Sequence, residues 1–274
     1  MKVLRGIFRF YINSSIHVSL AICSLILITL TRYKYPIDIY YLAFSFFASV
    51  VAYNFVKYSK VAKLYHRRLT KSMKAIQIFT LLSVVLFTIF ITFVKRDTVL
   101  SLLPFAFLTL LYAIPVYPNS KNLRSISGVK IFIIGCVWVG VTVVAPVVHS
   151  DGDFNQDIVI EMVQRFLFIV VMMLPFEVRD LPYDPKELNT IPQQIGVTRT
   201  KFFGSILLIL FLLLSAFKNT YSSVEALSTA IITIISLLFL WGTSKEQSEY
   251  YCSFWVESIP IFWMGIYLIL LQIF

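Results

Sequence analysis

Apolar residues in this chain come in long runs separated by short polar segments. A bilayer core is spanned by about 20 apolar residues of helix, and nine such runs occupy 14–31, 37–56, 76–94, 98–116, 131–148, 157–176, 202–217, 224–242 and 254–273. The pattern predicts an all-α integral membrane protein, with nine transmembrane helices in one bundle and a single domain over 1–274. The connections are short and hold no low-complexity linker, so neither a separate soluble module nor a repeat is expected. Residues 1–13 carry Lys2, Arg5 and Arg9 spaced three and four apart, the pattern of a basic helix lying on a membrane surface. No small-residue cleavage site follows, so 14–31 reads as a retained span.

Composition agrees: 58% of residues are apolar and 14% charged, against about 45–50% and about 25% in soluble domains. A soluble globule is excluded. The formal charge of +10, from 24 Lys and Arg against 14 Asp and Glu, would in a soluble protein point to nucleic acid. In a membrane protein its placement matters more, because cytoplasmic loops collect cations. With the N-terminus cytoplasmic and the C-terminus on the outer side, eighteen loop cations fall inside, in the 1–13 segment, in loops 57–75, 117–130 and 177–201, and at Lys245. Five fall outside, Arg32, Lys34, Lys95, Arg96 and Lys218, beside the acidic Asp151, Asp153 and Asp157. The excess is thus an orientation signal, and no nucleic-acid partner is expected. Cys23, Cys136 and Cys252 form no CxxC pair and read as packing residues, without a disulfide framework or zinc site.

The segment PFEVRDLPYDPKELNTIPQQIG, 175–196, holds the one cluster of acids predicted on the cytoplasmic side. Glu177, Asp180 and Asp184 are three and four apart, and on a helix they would share a face. Such a face needs a cation: either Mg²⁺, which takes one or two carboxylates and completes its shell with phosphate and water, or the neighbouring Arg179 and Lys186. Pro182 and Pro185 are expected to bend or end the helix, which favours Asp180 over Asp184 as a ligand.

This order of acid, Arg179-Asp180, Asp184, Lys186, Thr190-Ile191-Pro192 and Gly196 resembles the second aspartate-rich motif of the UbiA superfamily of intramembrane prenyltransferases. Tyr117-Pro-x-x-Lys121 resembles that family's stretch before span five. The first motif, an Asn followed at +4 and +8 by aspartates, is degenerate: Asn54 is in place, but Tyr58 and Ala62 stand where the acids belong. The resemblance implies a divergent member that transfers a prenyl group from a prenyl diphosphate to a membrane-resident acceptor. It implies Asp180 and Asp184 as catalytic residues that hold Mg²⁺ together with Glu177 and Asn54. Tyr117, Lys121, Arg179, Lys186 and Arg67 would bind substrate. The other reading open on the sequence is an inactive relative that binds a lipid or a partner protein; a transporter is disfavoured because no paired broken spans are visible.

At 100° per residue Asn54, Tyr58, Ala62 and Tyr65 share one arc, and Lys57, Lys60, Lys63, Arg67, Arg68, Lys71 and Lys74 the opposite one. If the helix continues, the cations of 57–74 face away from the site and bind anionic head groups, each contributing about 1 kcal/mol. If it breaks near Lys63, Arg67 falls near the substrate. Glu161 and Arg165 are spaced to neutralise each other within span six. Glu257, an acid inside an apolar run without a local partner, is a functional candidate. His17 and His149 are expected at opposite ends, which disfavours a bis-histidine haem.

Overall fold

The computed structural model describes residues 2–58, 71–115, 122–220 and 222–274. Every described element is helical, and all nine expected runs are helices: α2 Ile16–Arg32, α3 Ile39–Tyr58, α4 Lys71–Phe90, α5 Arg96–Ala113, α6 Lys130–His149, α7 Gln156–Asp180, α9 Val197–Leu213, α10 Ser223–Gly242 and α11 Tyr251–Ile273. Two short helices complete the set, α1 Lys2–Asn13 before them and α8 Ile191–Ile195 between α7 and α9. Eight of these are long and apolar enough to cross a bilayer among the described residues, and α2 becomes the ninth span when joined to α1 across a 53° bend.

That bend has a local cause. Ser15 sits in the left-handed region at φ 63°, which stops α1 and restarts the chain as α2. Helix α1 turns Val3, Leu4 and Ile7 outward while Ile12 is buried against the bundle, the form expected of a surface-lying segment.

The spanning helices follow one another round a closed ring: α2 packs on α3, α3 on α5, α5 on α6, α6 on α7, α7 on α9, then α10 and α11, and α11 returns to α2. Helix α4 lies outside on α3, with Ile78, Leu81, Leu82, Val85 and Ile89 facing outward. The ring buries Leu25, Ile26, Ile28 and Leu30 of α2 against Phe168, Phe211 and Trp263, whose rings meet at 5.1–5.7 Å. Two π turns interrupt the ladder, Gly140–Val144 within α6 and Tyr251–Val256 at the start of α11; such turns recur at functional sites.

Candidate functional site

Helix α7 carries the acidic motif to the end of the bundle and stops there. The helix ends at Asp180 and the chain turns over 181–184, so Asp184 lies on a turn and not on the helical face. The reason is the pair of prolines: neither Pro182 nor Pro185 has an N–H to extend the ladder. The Asp184 N–H still donates to the Asp180 carbonyl at 2.8 Å, which keeps the two acids one turn apart.

Glu177 is buried, with its Oε2 accepting the Ile191 N–H at 3.3 Å. The Thr-Ile-Pro part of the motif thus folds back onto its own first acid, and the Thr190 N–H is held by Gln193 Oε1 at 2.9 Å. Gly196, at φ 79°, makes the turn from α8 into α9. The neighbouring loop is laced on: the Gly128 N–H donates to the Leu188 carbonyl at 2.9 Å. Arg179 forks onto Asp180, Nε to Oδ1 at 2.8 Å and Nη2 to Oδ2 at 3.2 Å. Lys130, the first residue of α6, places its ammonium 3.5 Å from Asp184. Glu177, Asp180 and Asp184 all act electrostatically on Tyr112, as does Arg124. The structure therefore brings Glu177, Arg179, Asp180 and Asp184 into one cluster and adds Lys130, while Lys186 is exposed on the turn that follows.

Asn54 has a different setting. Its Oδ1 accepts from Ser15 Oγ at 2.8 Å, and its Nδ2 donates to the Ser14 carbonyl at 3.1 Å and to Thr80 Oγ1 at 2.8 Å. The break between α1 and α2 leaves a carbonyl and a hydroxyl needing partners, and an amide supplies one acceptor and one donor. None of these contacts is with the acidic cluster. Tyr58, at the first missing aspartate, donates to the Asn13 carbonyl at 2.9 Å. The arc of Asn54 and Tyr58 thus faces α1 and α4, and Lys57 donates to the Ile12 carbonyl of α1 at 3.4 Å. Tyr117, Lys121, Arg67, Ala62 and most of the basic stretch 57–74 lie outside the described residues.

Fold comparison follows this geometry. A UbiA homologue from Aeropyrum pernix K1 superposes with TM-score 0.65 at 12% identity, over 94% of this chain and 99% of that one. The fold is the UbiA fold. A second UbiA-fold match, to a structure described as digeranylgeranylglyceryl phosphate synthase in membranes, has TM-score 0.56 at 18% identity and covers 100% of this chain and 98% of that one. No family model and no curated protein matches the sequence.

Within this UbiA fold the donor set suits one Mg²⁺ in part. Asp180 and Asp184 are the two carboxylates a Mg²⁺ site usually takes, but Arg179 holds both oxygens of Asp180 and Lys130 faces one of Asp184, while Ile191 engages one Glu177 oxygen and Ser15 the Asn54 oxygen. No group of three His, Cys, Asp or Glu side chains suited to a metal occurs among the described residues. Lys130 is the site cation absent from the sequence-based set, where it stood only among the loop cations.

At the other end of the bundle lies a second charged cluster. Glu161 and Arg165 pair at 2.8 Å as their spacing predicts, but Arg32 and Lys218 join Glu161 at 2.6 and 2.7 Å, and Lys218 reaches Glu225 at 2.6 Å. Two of the five cations assigned to outer loops are thus interior and paired. His149 also lies here, 3.2 Å from Asp38, whereas His17 bonds Tyr11 and the Phe254 carbonyl at the motif end.

Proposed function

We propose that this protein is a membrane-embedded prenyltransferase that moves a prenyl group from a polyprenyl diphosphate to an aromatic or lipid acceptor. The observation that carries the reading is the convergence of Glu177, Asp180 and Asp184 with Arg179 and Lys130 at one end of a UbiA-fold bundle. Asp180 and Asp184 would hold Mg²⁺, which when bound supplies charge to the leaving pyrophosphate. The chain's own cations, Arg179 and Lys130, border the two carboxylates and would offset that charge as it develops. The closed ring of apolar helices would keep water from the allylic centre. The cation asymmetry favours a cytoplasmic opening for this end, and removing the interior Arg32 and Lys218 from the outer count strengthens it.

The test is pyrophosphate release by purified protein in nanodiscs with Mg²⁺, polyprenyl diphosphates of several lengths and a pool of quinone precursors and lipids. Release that Asp180→Ala abolishes supports the reading. No release at any donor length, with wild type and Asp180→Ala indistinguishable, overturns it. A second reading, an inactive UbiA-like protein that binds a lipid or partner, is favoured by the structural use of Asn54 and Tyr58. It predicts binding of a prenyl diphosphate without turnover.

A further inference from the structure

Helix α1 is fastened to the bundle by its last turn. Tyr58 donates to the Asn13 carbonyl at 2.9 Å, Asn54 Nδ2 donates to the Ser14 carbonyl at 3.1 Å, and Tyr11 meets His17 at 2.7 Å. With Ser15 setting the 53° bend, the first two turns run out from the motif end of the ring, where Phe8 leans back with its ring 5.0 Å from that of Tyr250 and 5.2 Å from that of Phe254. Residues four apart share a strip of a helix, so these turns carry three strips side by side: Val3 with Ile7, Leu4 with Phe8, and Arg5 with Arg9. Val3, Leu4 and Ile7 are 60–75% exposed, an apolar surface that suits the head-group boundary of a bilayer. Trp255, exposed beside Phe254, is of the residue type that gathers at that boundary. Between the Leu4–Phe8 and Arg5–Arg9 strips and the Glu249–Tyr250 segment that leads into α11 lies a cavity of about 560 Å³. Arg5 and Arg9 are exposed, and Glu249 acts on Arg9 without closing an ion pair among the described residues. Two guanidinia against one carboxylate leave the cavity with one positive charge in excess.

We propose that this cavity binds one acidic glycerophospholipid of the leaflet at the motif end, its phosphodiester held by Arg5 and Arg9 and its glycerol and first acyl methylenes laid on Leu4 and Phe8. A guanidinium fork matches two phosphate oxygens, and a phosphodiester carries the single negative charge that balances the excess. The boundary between the apolar and the basic strip runs through the cavity, which is the order of groups along a phospholipid from acyl chain to head group. A free phosphate ion would leave Leu4 and Phe8 uncovered. A zwitterionic lipid brings no net charge, so the excess stays unbalanced. Glu249 opposes the anion and keeps the site selective against weakly bound phosphate. The inference stands apart from the prenyltransferase reading, because no residue of the acidic motif takes part.

The experiment titrates the full chain in neutral detergent with dioleoyl phosphatidylglycerol or dioleoyl phosphatidylcholine and counts bound lipids by native mass spectrometry, with inorganic phosphate as competitor. Wild type is expected to retain one phosphatidylglycerol, to bind phosphatidylcholine at least about tenfold more weakly, and to keep its lipid against equimolar phosphate. The Arg5→Gln, Arg9→Gln double variant loses roughly 30-fold, two cations at about fivefold each. The charge-matched Lys95→Gln, Arg96→Gln double variant, altered at exposed positions of the opposite end, stays within about threefold of wild type. Glu249→Gln binds phosphatidylglycerol several-fold tighter, and tests the same cavity from its other wall if the arginine variant folds poorly. Equal binding of the two lipids by wild type, equal losses in the two double variants, or weaker binding by Glu249→Gln overturns the site. Displacement of the lipid by equimolar phosphate overturns the assignment to a lipid.

Discussion

The two charged clusters of this bundle are built from the same residue types and do opposite things. At one end Arg32, Glu161, Arg165, Lys218 and Glu225 are locked side chain to side chain, with side-chain exposures of 0–7%. Trp263 roofs the two guanidinia at 5.5–5.6 Å. At the other end Arg179 on Asp180 and Lys130 on Asp184 are paired too, but their side chains are 12–32% exposed. A closed cluster neutralises charge and holds helices α2, α7 and α10 together. A partly open one leaves its charges within reach of a ligand. Exposure, more than pairing, separates scaffold from site.

The sharpest way to break the comparison is to remove the hub of the closed cluster. Glu161→Ala strands Arg165 in the interior and leaves Arg32 and Lys218 to share Glu225, and loss of one partner of a buried pair costs about 3–5 kcal/mol; thermal unfolding in detergent should show a large drop in midpoint or no folded protein. A near-wild-type midpoint would mean that the cluster is not structural. Next in size is Asp180→Ala, expected to lower pyrophosphate release about 10²- to 10³-fold while unfolding stays close to wild type, since Asp180 is 23% exposed. Asn54→Ala leaves the Ser14 carbonyl, the Ser15 hydroxyl and Thr80 short of a partner, at about 1–3 kcal/mol, with the Mg²⁺ requirement of turnover unchanged. A shifted Mg²⁺ requirement at wild-type stability would instead make Asn54 a ligand. The smallest effect is expected at Lys95→Gln, which breaks a pair with Asp151 whose side chains are 47% and 80% exposed and should alter the midpoint by about 1 kcal/mol or less.

Much of this was legible in the sequence. The nine apolar runs became nine helices, because backbone groups in a bilayer leave no alternative to a helix once the side chains are apolar. The acids of 177–184 were found because acids are scarce here. The turn at Asp184 was readable from two prolines. Which way a helix faces was not readable. In soluble proteins an apolar stripe gives the phase of a helix, but α3 has lipid on one side and apolar core on the other, so the use of Asn54 as partner of Ser14, Ser15 and Thr80 was hidden. The closed cluster was hidden for a related reason: Arg32 and Lys218 lie at helix ends, where a sequence reader assigns cations to loops, and only the fold brings α2 and the α9–α10 connection onto Glu161.

One feature of α11 has a reach beyond its own turn. Between Tyr251 and Val256 the ladder steps by five residues instead of four. Each residue in a helix advances the side chains by about 100°, so deleting a single residue in that interval would let an ordinary α-helix form and swing Glu257 relative to the chain before it. A one-codon deletion would thus re-aim an acid inside an apolar run while every such run, and the hydropathy profile of the chain, stayed as it is.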